Sequence, residues 1–222
     1  MPVKFIDRKE RASELLIEID AIHFSEDEPF IFTSGWASPV YIDCRKLISF
    51  PRQRREIIQL AAEEIDRSIG RERMALVAGG ETAGIPLAAW IAEYFFLPMI
   101  YVRKTPKGFG RMSQIEGALD SGARVVLVED LTTDGKSKIN FCNALRRAGA
   151  IVEQAVVIFY YGVYPDAEKN LHEAGITLHA LTDWRTTLHV ARASGYFDAK
   201  QADVVRDFLD TPDAWSKAHG GV

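Results

Sequence analysis

Residues 129–137 carry the side chains whose types and order most directly suggest chemistry. The paired acids Glu129 and Asp130 come first, then Leu131, then Thr132, Thr133, Asp134, Gly135, Lys136 and Ser137. A small polar loop with one glycine, opening onto a helix, presents free backbone N–H groups to an anion, most naturally a phosphate. Two carboxylates one step upstream would repel that phosphate if they faced it. They make sense facing a pair of sugar hydroxyls or a hydrated Mg²⁺. A ligand with a phosphate at one end and a diol beside it meets both requirements, and a ribose 5-phosphate is such a ligand. Gly135-Lys136-Ser137 also ends like the nucleotide loop G-x-x-x-x-G-K-[ST], whose first glycine would stand at position 130. That position is Asp130, so the match fails.

A strand and a helix must hold this loop. The β-branched run at 125–128 predicts a short strand buried on both faces, ending at the acid pair. After the loop, Ile139, Ala144, Leu145 and Ala148 mark one side of a helix over 136–148 that closes at Gly149 as a C-cap. Further strands are expected at 74–78, 98–102, 151–159 and 176–181. Further helices are expected from Pro51 to near Gly70, at 86–95 and at 165–174. This alternation implies a parallel sheet with helices on both faces. Upstream, Ala12, Leu15, Leu16 and Ile19 predict an amphipathic helix over 7–22, and 30–32 and 40–42 read as strands around the turn residues Ser34-Gly35 and Ser38-Pro39. Residues 183–222 read as two or three polar helices, and Arg52, Arg54 and Arg55 as a solvated helix face. Ligands of such sheets bind outside the carboxyl ends of the strands. The acid pair, the glycine loop at 79–84 and the long loop from Arg103 are therefore expected to share one cleft.

Composition narrows the class. In 222 residues, 47% are hydrophobic and 26% charged, which suits a globular chain rather than a disordered or membrane-spanning one. The net charge of −4 speaks against general nucleic-acid binding. Two cysteines are too few for a disulfide framework, and with no apolar leader after Met1 the cytoplasm is the expected compartment. The five histidines have no metal-ligand spacing, so no protein-held metal is expected.

Three stretches, in order, carry a family resemblance. Residues 125–137, V-V-L-V-E-D-L-T-T-D-G-K-S, resemble the ribose-phosphate motif of type I phosphoribosyltransferases, which use 5-phosphoribosyl 1-diphosphate (PRPP). Residues 32–45, F-T-S-G-W-A-S-P-V-Y-I-D-C-R, and 103–117, R-K-T-P-K-G-F-G-R-M-S-Q-I-E-G, resemble the orotate phosphoribosyltransferase family. The resemblance implies an α/β fold of type I phosphoribosyltransferase kind, with a mostly parallel central sheet flanked by helices. A small hood would come from about 1–45 and part of the C-terminal region, within one domain over 1–222. It implies transfer of the phosphoribosyl group to orotate, with Mg²⁺ carried by PRPP and no nucleic-acid or membrane partner. A homodimer with shared active sites is implied too, the 103–117 loop closing over the neighbouring subunit's site.

By the same resemblance Lys104, Lys107 and Asp130 are the catalytic candidates. PRPP would be held by Arg103, Lys104, Lys107, Glu129, Asp130, Thr133, Asp134, Gly135, Lys136 and Ser137, and orotate by Ser34, Gly35, Tyr41 and Thr133. The cations at 103–111 suit a leaving diphosphate, and the loop's glycines suit closure over the site. The sequence also departs from the family pattern. Thr33, Ala83 and Phe109 stand where a lysine, a lysine and a histidine are common, Tyr160 and Tyr161 replace an Asp-Arg pair, and Asp134 enters the phosphate loop. Arg45 and Arg185 are candidates to replace the missing cation near the orotate carboxylate. Two other readings stay open: a PRPP-binding regulator without turnover, and a transferase for another nucleobase.

Overall fold

The structure, a computed structural model, describes residues 7–106 and 114–222. Its frame is a six-stranded sheet. The strands are β5 (Leu76–Gly80), β6 (Met99–Val102), β7 (Ile115–Glu116), β8 (Arg124–Thr132), β9 (Ile151–Tyr160) and β10 (Thr177–Asp183). They lie in the order β10-β9-β8-β5-β6-β7. All neighbours pair parallel except β7, which runs antiparallel to β6. Parallel strands need crossovers, and α3 (Gly84–Phe95), α4 (Lys136–Arg147) and α5 (Ala167–Glu173) supply three of them. Both faces of the sheet are packed. One core gathers Val77, Val126, Val128, Val156 and Ile158 with the apolar stripes of α1 (Arg8–Glu18), α2 (Pro51–Ser68) and α3. The other gathers Ala78, Leu127 and Ala155 with Phe141, Cys142 and Leu145 of α4.

Two boundaries and one pairing differ from expectation. The strand over 125–128 runs on to Thr132, because Leu131 and Thr132 pair with Phe159 and Tyr160. The acids therefore lie within β8, not past its end. The first helix stops at Glu18, and after a left-handed Asp20 the chain enters β1 (Ile22–Phe24). The two predicted upstream strands do not pair with each other. β2 (Phe30–Ile31) pairs with β3 (Ala37–Ser38), and β1 pairs with β4 (Val40–Ile42).

The last helices, α6 (Trp184–Ala193), α7 (Ala199–Asp210) and α8 (Pro212–Ala218), are less polar than their charge content suggests. Trp184, Phe208 and Trp215 are buried beneath them. α8 lies against β3, so the two ends of the chain build one structure over the carboxyl end of the sheet. Arg54 is not simply solvated: its guanidinium sits 4.2 Å over the Trp90 ring and donates to the Ile48 carbonyl.

Candidate active site

A cleft of about 770 Å³ opens where β8 runs into the polar loop and α4. Thr33, Ser34, Tyr41 and Arg45 line one side, Glu81, Thr82, Ala83 and Lys104 another, and 129–131, 133–134 and 136–138 the floor. The three chain segments expected to converge do so. Of the predicted residues, Ser34, Tyr41, Lys104, Glu129, Asp130, Thr133, Asp134, Lys136 and Ser137 reach the cleft.

The acid pair divides its work. Glu129 is buried, and both of its oxygens are engaged. Oε2 accepts from the Lys138 ammonium at 3.1 Å, and Oε1 accepts from the Gly84 N–H at 3.1 Å. Burial pushes its carboxyl up to about 7 against the pull of Lys138, and the neighbouring Asp130 charge adds to the rise. Asp130 is partly exposed along the cleft. Burial raises its carboxyl too, opposed by Lys138 and by backbone N–H groups. A carboxylate has about four lone-pair sites, so Glu129 retains acceptor capacity beyond its two bonds.

Lys138 was not legible as a site residue. It occupies the first turn of α4 on the same face as Phe141, Cys142 and Leu145, with its side chain only 4% exposed. A lysine on the apolar stripe of a helix, nine positions after an acid, is the signal that marked it. It spans from the phosphate-type loop to the acid of β8.

The glycines at 80 and 84 serve this arrangement. A Cβ at Gly80 would meet the Glu129 carboxyl at 2.7–2.8 Å, and one at Gly84 would meet the same carboxyl and the Val128 carbonyl. They leave room for a protein carboxylate. The Gly84 N–H, in the glycine loop expected at the cleft, is spent on it.

In the polar loop, Asp134 accepts the Lys136 N–H at 3.1 Å and pairs with the Lys136 ammonium at 3.1 Å. Gly135 caps α4 in a left-handed conformation and packs beside Leu171 rather than lining the cleft. Gly35 also shapes the wall from behind. Its φ of +88° makes the turn, its N–H donates to the Phe32 carbonyl and its carbonyl accepts from Val222. Both of its backbone polar groups are therefore used inside the protein.

Arg103 is turned away from the cleft, 3.8 Å from the Glu116 carboxylate, while its backbone N–H donates to the Gln114 carbonyl. Lys107, Phe109 and Arg111 lie outside the described residues. Arg45 stands on the rim, donating to Asp43 at 2.6 Å and to the Tyr41 hydroxyl at 3.0 Å. Arg185 does not reach the cleft; it pairs with Asp210 at 3.0 Å. Tyr161 is buried with its hydroxyl accepting the Ile42 N–H, so it braces the hood instead of replacing a cation. Among the described residues no three His, Cys, Asp or Glu side chains gather as a metal site.

The floor thus offers a partly exposed carboxylate beside a loop at a helix N-terminus, with Lys104, Lys136 and Arg45 around the opening. That chemistry suits an anionic ligand with hydroxyls beside its charge, such as a phosphorylated sugar.

No protein-family model matches the chain. It is similar to an orotate phosphoribosyltransferase of Sinorhizobium fredii, 53% identical over 213 residues covering 96% of this chain and 92% of the other. It is 51% identical over 221 residues to that of Agrobacterium fabrum, covering 98% and 95%. The crystal structure of orotate phosphoribosyltransferase from Aeropyrum pernix superposes with a TM-score of 0.72 at 31% identity, covering 84% of this chain and 99% of that one. With half of its residues shared across nearly its whole length, and with the same α/β frame, the chain belongs to the orotate phosphoribosyltransferase family.

Proposed function

We propose that this chain transfers the 5-phosphoribosyl group from PRPP to orotate, forming orotidine 5′-monophosphate and diphosphate in pyrimidine biosynthesis. The observation that carries the reading is one cleft in which an acid-bearing strand, a phosphate-type loop and the Ser34–Tyr41 wall meet. Relatives at about half identity named for this reaction support it.

In this reading Asp130 and Glu129 accept the ribose 2′- and 3′-hydroxyls, with Glu129 anchored from behind by Lys138. Thr133 to Ser137 hold the 5′-phosphate through backbone N–H groups and hydroxyls. The C1–O bond breaks and the diphosphate leaves with the electron pair, while a ring nitrogen of orotate forms the new bond to C1 and its proton passes to solvent. The sugar becomes oxocarbenium-like, so positioning and leaving-group stabilisation dominate. Lys104 and Lys107 are the cations we assign to the diphosphate, and Mg²⁺ enters with PRPP as part of the substrate. Arg103 joins them only if its contact with Glu116 opens. Orotate lies between Ser34, Tyr41 and Thr133, with Arg45 the cation nearest its carboxylate.

We further propose that the chain works as one domain in a cytoplasmic homodimer, its 103–117 loop completing the partner's site. Mixing impaired Lys107→Ala chains with impaired Asp130→Asn chains under subunit exchange then restores activity above that of either variant alone. No restoration after demonstrated exchange refutes sharing. PRPP-dependent diphosphate release, screened over orotate, uracil and the common purine bases, tests the activity. Release with orotate alone is the expected result. Binding of PRPP without turnover on any base would favour a regulator instead.

A further inference from the structure

The segment that forms the base-side wall of the cleft, residues 32–37, has two sides. Thr33 and Ser34 face the cleft. The outer side is stitched to the far end of the chain. Ser216, fully buried at the end of α8, accepts the Ala37 N–H at 2.9 Å and donates to the Val222 carbonyl at 2.8 Å. Val222 N–H donates to the Gly35 carbonyl at 3.0 Å, and Gly221 N–H to the Ser216 carbonyl at 2.9 Å. The fit is close. A Cβ on Gly35 would meet the Val222 side chain at 3.2 Å, and one on Gly221 would run into the Ser216 hydroxyl and the Ala37 N–H.

Two hydrogen bonds to the turn, two more that brace the segment making them, and two glycine contacts exceed what a six-residue turn needs for folding. Its own bonds, Gly35 N–H to Phe32 and Phe32 N–H to Trp36, already close it. What the extra bonds determine is where the closed turn stands relative to Thr133 across the cleft. We propose that Ser216 and the 220–222 segment are positioning residues for the base: a latch that sets the depth of the orotate wall from outside the site. This rests on the placement of orotate against Ser34 given above. The latch touches no group assigned to the ribose, the phosphate or the diphosphate, so it acts on one substrate and not the other.

The test is a split between Michaelis constants. Ser216→Ala removes the hydroxyl that joins Ala37 to Val222, and Gly221→Ala displaces the same segment while keeping that hydroxyl. Each is expected to raise KM for orotate at least five-fold and to leave KM for PRPP within two-fold. A merely structural role would lower thermal stability and the active fraction with orotate KM unchanged, and that result overturns the proposal. An equal rise in both constants overturns it as well. Gly221→Ala decides the matter alone if Ser216→Ala does not fold. Ser34→Ala, measured alongside, separates the two layers of inference. If it raises orotate KM and the latch variants do not, the latch is wrong and the base placement stands. If none of the three moves it, the base placement is wrong and the latch falls with it.

Discussion

Replacing Asp130 by asparagine is the cleanest probe of the sugar site, because Asp130 lacks the ion pair that ties Glu129 to Lys138. Asparagine keeps the shape and loses the charge. A charge-assisted hydrogen bond to a ribose hydroxyl is worth about 1.5–3 kcal/mol. One term opposes the loss: removing a negative charge near a bound phosphate favours anion binding by about 0.5 kcal/mol in a water-like medium. The hydrogen-bond term wins. The net loss is about 1–2.5 kcal/mol, or roughly five- to seventy-fold in Kd. Stability moves the other way. Burial holds the folded Asp130 carboxyl above its ordinary 3.8, so its ionisation disfavours the folded chain at every pH above that value. Asparagine removes this term, and the variant should unfold at the same temperature as the parent or higher at pH 7. Calorimetric titration with Mg²⁺ and PRPP, beside a thermal melt, reads both quantities. A Kd within two-fold of the parent's refutes placing Asp130 on the ribose, and lower stability refutes the burial argument.

Lys138→Met breaks a buried ion pair from one side and should cost about 3–5 kcal/mol, a Tm lower by roughly 6–20 °C; adding Glu129→Gln should restore most of the Tm but not PRPP affinity. Asp134→Asn keeps the turn bond to the Lys136 N–H while removing a charge from the phosphate loop. Ribose 5-phosphate should then bind about two- to five-fold tighter, by about 0.5–1 kcal/mol, and weaker binding would mean that Asp134 helps hold the ligand. With the Glu129 carboxyl near 7, PRPP affinity should rise between pH 6 and 8 as the acceptor ionises. Glu129→Gln should lose that component and keep only the titration of the ligand's own phosphates. The same shift lowers stability as pH rises from the unfolded value of 4.5 to about 7, since the folded chain holds that proton more tightly. A parent chain whose Tm is flat over that window, compared with Glu129→Gln, would contradict it.

Strand and helix positions in the sheet were legible because buried parallel strands read as apolar runs, and 125–128, 155–159 and the end of 98–102 are such runs. The strand carrying the acids was read short because Glu129 and Asp130 look like a loop. Pairing with β9 carries them inside the sheet instead. The phosphate-type loop was legible from small polar residues alone. Lys138 was not, since a lysine in a helix is usually solvated and only its place on the Phe141-Leu145 stripe betrays it. Gly35 and Arg103 belong to recognisable motifs, yet each points away from the cleft. Motif membership places a segment, and hydrogen bonds decide which way a residue faces. The 220–222 tail has no period to read, so its place against residue 35 follows only from tertiary structure.

The hood is assembled from both ends of the chain, and this orders events during synthesis. Every strand of the large sheet lies between Leu76 and Asp183, so that part can collapse while later residues are still inside the ribosome. The turn at 32–37 waits about 180 residues for Ser216 and Val222, and contacts of such separation form late. On the ligand placement proposed above, a nascent chain would thus hold a formed floor for the sugar phosphate beneath an unsettled base wall, and would bind sugar phosphate before it could discriminate among bases.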